Sequence, residues 1–262
     1  MSEVLRISSR DNPFVKDLKR LAHGAVEYRK QHRVWAEGDH LLRAALNRGV
    51  RPALGIFSES FWPVVPVQYA KAAIKNIVIK DALYDLVSAL ESPARMGFVF
   101  DLPVAPEFDG GQASVILDRV QDAGNVGAIL RSASAFGFRQ VIALQGTAAL
   151  WSPKVLRAGM GAHWGLQLIE GADIGLLNAL TLPLLVTSSH RGSHLHQMLL
   201  KKELTMPCAW ALGHEGQGIC DALELRASVH VRIAQPGGEE SLNVATAAAI
   251  CLHASATACM PS

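Results

Sequence analysis

The chain has 262 residues, half of them apolar and 18% charged, with a formal net charge of +2. That is enough for one or two domains with real cores. No apolar run reaches the length needed to cross a bilayer, and the charged N-terminus lacks the apolar stretch of a secretory signal. The expectation is a soluble cytoplasmic protein with no membrane partner. Cys208, Cys220, Cys251 and Cys259 show no C-x-x-C spacing and read as reduced, packed thiols, with no metal site expected. Charge is uneven: residues 1–51 hold eleven Lys or Arg against six Asp or Glu, which suits an anionic partner or a solvated helix face.

In chain order, "NPFVKDLKRLA" has helical spacing and opens with Asn-Pro, an N-cap followed by a first-turn proline. "GDHLLRAALNRG" reads as a second helix ending at Gly49, and "ALGIFS", "NIVIK" and "RMGFVFDL" read as strands. "DLPVAPEFDGGQA" carries two prolines and two glycines without periodicity and reads as a linker. The predicted domains are therefore 1–102 and 113–262, joined by 103–112. In the second, strands and helices alternate. "ASVILDRV", "QVIALQG", "WGLQLIE", "LPLLVTSS", "CAWALG" and "VHVRIA" are strands. "NVGAILRSASAFG", "PKVLRAG", "DIGLLNAL", "SHLHQMLLKKE", "ICDALELRA" and the closing "SLNVATAAAICLHASA" are helices. Apolar strands separated by helices imply an α/β fold with a parallel sheet covered on both faces.

Two glycine-rich stretches, "GMGAHWG" and "GHEGQG", are neither G-x-G-x-x-G nor a Walker A loop. In the second, Glu215 would repel a pyrophosphate at a helix N-terminus. A dinucleotide-dependent oxidoreductase is disfavoured accordingly. H-E-x-x-H fails for want of a second histidine, and G-x-S-x-G is absent.

Three polar segments stand at the carboxyl ends of predicted parallel strands, where α/β sheets place ligands. They are "DAGNVGAILR", "ALGHEGQGI" and "IAQPGGEESLNVATAAA", and their polar residues are Asn125, Arg131, Glu215, Ser241 and Asn243. Ser241 alone reads as an N-cap. Asn243 in the first turn of an apolar helix is less expected.

These segments resemble the signature motifs of the SpoU/TrmH family, RNA ribose 2′-O-methyltransferases of the SPOUT superfamily. The matching letters are "D..QD.GNVGAILR.A.AFG", "LGHEG.GI" and "ESLNVA.A.AI", with "SPKVLRAGMGA" similar to the family's intervening segment. "ISSRDNPFVKDLKRL" and "WAEGDHLLRAAL" resemble the small RNA-binding domain, similar to ribosomal protein L30e, that many such enzymes carry. Ala123 and Ala234 stand where the family usually has proline.

The resemblance implies a C-terminal SPOUT domain with a deep trefoil knot, a smaller N-terminal α/β domain and a homodimer through the knotted domain. It implies S-adenosyl-L-methionine as cofactor, contacted by Thr187, Gly213, Ile233, Leu242 and Asn243. Asn125, Arg131, Glu215, Ser241 and Asn243 form the catalytic set. A guanidinium is a poor general base, so Arg131 is expected to clamp a phosphate and stabilise the developing alkoxide. Asn125 would orient it or the ribose, and Glu215 would hold its fork. The acceptor would be a 2′-hydroxyl, which excludes DNA. Ribosomal RNA is favoured over tRNA, and an inactive RNA-binding protein of the same fold is the other reading. Arg6, Arg10, Lys16, Lys19 and Arg20 would bind RNA phosphates.

Overall fold

The computed structural model describes residues 4–188, 191–238 and 241–258; Cys259 lies outside them. The chain divides into two units, Met1–Val104 with Trp151–Trp164, and Ala105–Leu150 with Gly165–Ser262.

The first unit holds strands β1 (Val4–Ile7), β2 (Arg33–Glu37), β3 (Leu54–Ser58), β4 (Lys75–Ile79) and β5 (Met96–Asp101). They form one mixed sheet in the order β1-β4-β3-β5-β2. β1, β4 and β3 run parallel, and β5 is antiparallel to both β3 and β2. Helices α1 (Pro13–His23), α2 (Glu27–Gln31), α3 (Asp39–Leu46), α4 (Val67–Ala70) and α5 (Asp81–Val87) connect the strands. α1 forms as its sequence predicts. Asn12 Oδ1 accepts the Phe14 N–H at 2.9 Å, Pro13 opens the first turn, and Val15, Leu18, Leu21 and Ala22 make one buried face. α3 stops at Leu46, short of Gly49. β1, β2, α2, α4 and α5 are additions to the predicted elements. The core gathers Leu42, Phe57, Phe98 and Phe100, with Phe57 and Phe98 packed edge-on at 5.8 Å.

Helix α7 (Pro153–Gly159) belongs to this unit, although its sequence falls in the predicted C-terminal domain. Trp164 lies 4.6 Å from Phe100 between ring centroids, and Arg48 Nη1 donates to the Gly161 carbonyl at 3.2 Å. Gly161 has φ +82°, and a Cβ there would stand 2.3 Å from that of Ala44. Only glycine permits both the conformation and the approach.

The second unit contains β6 (Ser114–Leu117), α6 (Ala123–Ala135), β7 (Gln140–Leu144), β8 (Gln167–Ala172), β9 (Leu184–Thr187) and β10 (Ser193–His194). It continues with α8 (Leu195–Leu200), β11 (Ala209–Leu212), α9 (Asp221–Glu224), β12 (Val229–Arg232) and α10 (Val244–Ala258). The seven strands are all parallel, in the order β10-β12-β9-β11-β6-β7-β8. Every residue of β6, β7 and β11 is buried, as a parallel sheet covered on both faces requires. Trp210 donates from Nε1 to Ser255 Oγ of α10 at 2.9 Å on one side. On the other, Ile116, Val186 and Ala211 pack with Leu177 and Leu223. Gln140 is fully buried, and its amide is satisfied by the Asp109 backbone and Ser114 Oγ. Three predicted helices are shorter or tighter than expected. "DIGLLNAL" is a 3-10 helix, Ile174–Ala179, α9 has four residues, and Ser193–His194 precedes α8 as a strand.

The linker expected at 103–112 is tied down at its far end. Asp109 N–H donates to Gln140 at 3.0 Å, and Gly110 carbonyl accepts the Thr181 N–H at 3.0 Å.

Candidate active site at the carboxyl edge of the parallel sheet

From β6 the chain moves outward in one direction, to β7 and β8; β11 lies on the other side of β6. The connections reverse between β6 and β11, and a crevice opens at the carboxyl ends of strands where that happens. The segments after β6 and β11 meet there, and the segment after β12 joins them.

After β6, Asp122 caps α6 by accepting the Asn125 N–H at 2.7 Å. Ala123 therefore sits at the first helical position, where proline is tolerated but an effective cap makes it unnecessary. Val126, Ile129, Leu130 and Ala133 face the core, Asn125 is half-buried and Arg131 is exposed. After β11, Gly213 leads into a tight hairpin. The backbones of His214 and Gly218 bond reciprocally at 3.0 and 2.8 Å. A Cβ on Gly213 would stand 2.3 Å from the Gly218 carbonyl carbon. After β12, Asn243 caps α10, its Oδ1 accepting the N–H groups of Ala245 at 2.9 Å and Thr246 at 3.2 Å. Its placement as a cap, not as a first-turn residue, explains why asparagine is suited there.

One side chain links the three segments. Asn125 Nδ2 donates to Glu215 Oε1 at 3.1 Å, and Asn125 Oδ1 accepts from Asn243 Nδ2 at 3.0 Å. The Asp122 N–H adds a longer bond to Glu215 Oε1 at 3.4 Å. Partial burial works against ionisation of Glu215, but Asn125 and nearby backbone N–H groups outweigh it and lower its pKa. Glu215 is thus ionised at neutral pH. Arg131 makes no hydrogen bond or ion pair among the described residues, so Glu215 is held by Asn125 and not by the guanidinium. Ser241 and Leu242 are exposed, Ile233 and Thr187 are half-buried, and Thr187 lies opposite Val231 where β9 and β12 end.

Sequence reasoning left Asp118 and Arg119 without a role. Asp118, the first polar residue after β6, is only 2% exposed. Burial raises its pKa, but the Arg119 side chain and the Cys220 N–H, 2.7 Å from Oδ2, lower it further, and the net shift is down. Arg119 has φ +57° and bonds Asp118 through Nε at 2.9 Å, Gln217 Oε1 at 2.8 Å and the Gly218 carbonyl at 3.4 Å. A charged residue directly after an apolar strand was the available signal; its partners lie about a hundred residues away.

Of the expected RNA-binding cations, all are exposed. Arg6 is 3.6 Å from Glu59, Lys16 is 3.0 Å from Asp11, and Arg20 pairs with Asp17. Exposed pairs of this kind are worth little and exchange readily for other anions. Among the described residues no group of three or more His, Cys, Asp or Glu could hold a metal ion, and no helix is long and apolar enough to cross a membrane.

Residues 112–253, more than half of the chain, match the sequence profile of the SpoU rRNA Methylase family. The chain belongs to that family. A relative from Bacillus subtilis (strain 168), 23S rRNA (guanosine(2553)-2′-O)-methyltransferase RlmP, is 27% identical over 252 residues, covering 95% of this chain and 98% of the relative. A solved RNA 2′-O ribose methyltransferase superposes with a TM-score of 0.78 at 27% identity, over 96% of this chain and 98% of the other. An AdoMet-bound rRNA methyltransferase from Sinorhizobium meliloti reaches 0.82 at 23% identity, over 98% and 99% of the two chains, and speaks to the shared fold. The SpoU assignment makes the chain an RNA methyltransferase with an α/β fold and S-adenosyl-methionine as its methyl donor.

The chemistry of the site fits that donor. A carboxylate with a lowered pKa would repel a phosphate-bearing cofactor, whereas a sulfonium and a neutral adenosine tolerate it.

Proposed function

We propose that this protein methylates the ribose 2′-hydroxyl of structured RNA, and of ribosomal RNA before tRNA. The observation that carries the reading is the Glu215–Asn125–Asn243 chain of hydrogen bonds at the sheet's reversal point, in a SpoU family member whose relatives bear 2′-O-methyltransferase names.

When bound, S-adenosyl-methionine supplies an electrophilic methyl group. Backbone groups around Gly213, with Thr187, Ile233, Leu242 and Asn243, would hold it. Ionised Glu215 orients Asn125, and Asn125 in turn fixes Asn243, so the set arrives already positioned. Arg131, with no partner among the described residues, is available to clamp an RNA phosphate and to stabilise the alkoxide as the 2′-oxygen loses its proton. Ser241, exposed beside the cap of α10, completes the hydrogen-bonding set around the acceptor.

We further infer that the chain acts in the cytoplasm as a homodimer through the second unit. The exposed Ile250 on alanine-rich α10 supports that pairing. A trefoil knot in that unit is supported by β12, which lies inside the sheet between β9 and β10 and not at its edge. An L30e-like first unit would present Arg6, Arg10, Lys16, Lys19 and Arg20 to RNA phosphates.

The test is incubation of the purified protein with methyl-labelled S-adenosyl-methionine and unmodified ribosomal RNA or tRNA, followed by alkaline hydrolysis. Label in hydrolysis-resistant dinucleotides from ribosomal RNA is the expected outcome. Label in methylated bases, or none in either RNA, overturns the reading; label in tRNA alone reassigns the substrate.

A further inference from the structure

The hairpin that carries Glu215 is folded around an imidazole. His214 Nδ1 accepts the backbone N–H of Gly216 at 3.0 Å and that of Gln217 at 3.2 Å. With the two bonds between His214 and Gly218, this one residue organises both limbs and the tip of the turn. An imidazole nitrogen that accepts is unprotonated, so the ring is neutral with its proton on Nε2. A second proton would place N–H against two N–H groups and turn both attractions into repulsions.

We propose that His214 is a positioning residue for methyl transfer. Its bare Nδ1 shapes the turn that delivers Glu215 to Asn125, and protonation of the ring releases that turn. The inference rests on the methyltransferase reading above. It concerns a side chain that bonds neither Asn125 nor Glu215, on a residue whose backbone joins Gly213 to Glu215.

Charged groups stand close to the turn without bonding the ring. Glu215 is its neighbour in the turn, Asp118, Arg119 and Asp122 stand on the segment after β6, and Asp221 opens α9. None of them makes a hydrogen bond or ion pair to the imidazole among the described residues. Arg119 instead grips the far limb through Gln217 and Gly218, so loss of the His214 bonds loosens the tip without unfolding the loop. Glu215 cannot be the group that titrates near neutrality, because its pKa lies below the ordinary glutamate range.

Asparagine provides the decisive variant. Its Oδ1 sits where Nδ1 does, accepts the same two N–H groups and does not titrate. The experiment uses the full chain. Amide resonances of Gly216 and Gln217 are followed from about pH 5 to about pH 8.5, across the range in which imidazoles ordinarily gain a proton. Single-turnover methylation is measured over the same range for the parent, His214→Asn and His214→Ala, with thermal unfolding recorded for each. In the parent, both amides should shift in one transition, and methylation should fall on the acid side with the same midpoint. His214→Asn should stay within about threefold of the parent at the alkaline end and lose the acid limb. His214→Ala should be roughly tenfold slower throughout, the scale for two lost hydrogen bonds to a loop, with little change in KM for RNA. An acid limb that persists in His214→Asn, amides that ignore pH, or a His214→Ala enzyme of parental rate each overturns the proposal. A parent that methylates no RNA overturns the functional reading and the catalytic role with it, while the amide titration still decides whether Nδ1 builds the turn.

Discussion

The two sheets solve the same packing problem and put their polar residues to different use. In the first, β5 runs against its neighbours β3 and β2, so strand ends of both senses share each edge. Its buried polar groups pair to hold the fold: Ser88 Oγ donates to Glu37 at 2.6 Å, and Asn76 Nδ2 to the Ala70 carbonyl at 2.7 Å. In the second, every strand points the same way, so all carboxyl ends lie along one edge. Side chains there bridge segments far apart in sequence, Asn125 to Glu215 and to Asn243, and Asp118 to Cys220. Parallel topology therefore does what no single loop can. It brings three short segments, each unremarkable alone, to one crevice where connections reverse. If that contrast is right, substitutions at the second sheet's edge should change chemistry with the fold intact, and substitutions in the first unit should do the reverse.

The largest effect should come from Arg131→Ala. Arg131 is exposed and has no partner among the described residues, so its loss should leave thermal unfolding and calorimetric cofactor affinity unchanged. Methyl transfer should fall by about two orders of magnitude or more, as for removal of one aimed electrostatic group. Arg131→Lys keeps the charge without the planar fork and should recover only a small part. Near-parental turnover in Arg131→Ala would break the contrast at its strongest point.

Gly213→Ala comes next. The added Cβ would meet the backbone of Gly218 and Ile219 at 2.3 and 2.4 Å, and backbone cannot step aside as a flexible side chain would. The hairpin must open, at a cost of about 1–3 kcal/mol by analogy with overpacked cores. Calorimetry should show at least a tenfold loss of cofactor affinity, about 1.4 kcal/mol, while the first unit's unfolding is unaffected.

Asn125→Ala should cost about tenfold in methyl transfer, since it removes one bond each from Glu215 and Asn243 on a partly exposed network. Adding Asn243→Ala to it should cost much less than the two single effects combined, because both remove one shared link. Additive losses would mean that the residues act separately. The pH sign follows from Glu215. Its folded pKa is lowered, so the Asn125–Glu215 link is fully present above the ordinary glutamate value of about 4.3 and is lost only as pH falls through the lower folded value.

Much of this architecture is legible in the sequence, and the exceptions have physical causes. Buried strands such as "SVIL" and "AWAL" announce themselves because parallel strands are apolar on both faces. β1 is missed because it is a four-residue edge strand with three exposed positions. Helix α7 is visible as a helix, yet Val155 and Leu156 look alike whichever core they enter, so the sequence could not assign it to the first unit. A chain starting at 105 would thus leave that helix without its packing partners. At the site, Asn125 and Asn243 stand out as polar residues at the starts of apolar helices, and Glu215 as a carboxylate among glycines. Asp118 and Arg119 do not, because their role depends on a hairpin about a hundred residues on. His214 acts through backbone N–H groups, which carry no letter in a sequence.

The smallest expected effect is also the control for the whole comparison. Asn12 caps α1, the helix that carries Lys16, Lys19 and Arg20, by accepting the Phe14 N–H. Asn12→Ala should cost the first unit about 1 kcal/mol, the ordinary price of a lost N-cap. Because α1 belongs to the first unit and carries none of the residues proposed for the parallel edge, single-turnover methylation with saturating RNA should match the parent. KM for RNA should rise modestly, and its salt dependence should flatten slightly, if the helix's cations contact phosphate. Lower unfolding temperature with unchanged turnover keeps the two roles apart. A drop in turnover at saturating RNA and cofactor would mean that the first unit shapes the chemistry itself, and that the division of labour between the two sheets is not the one proposed.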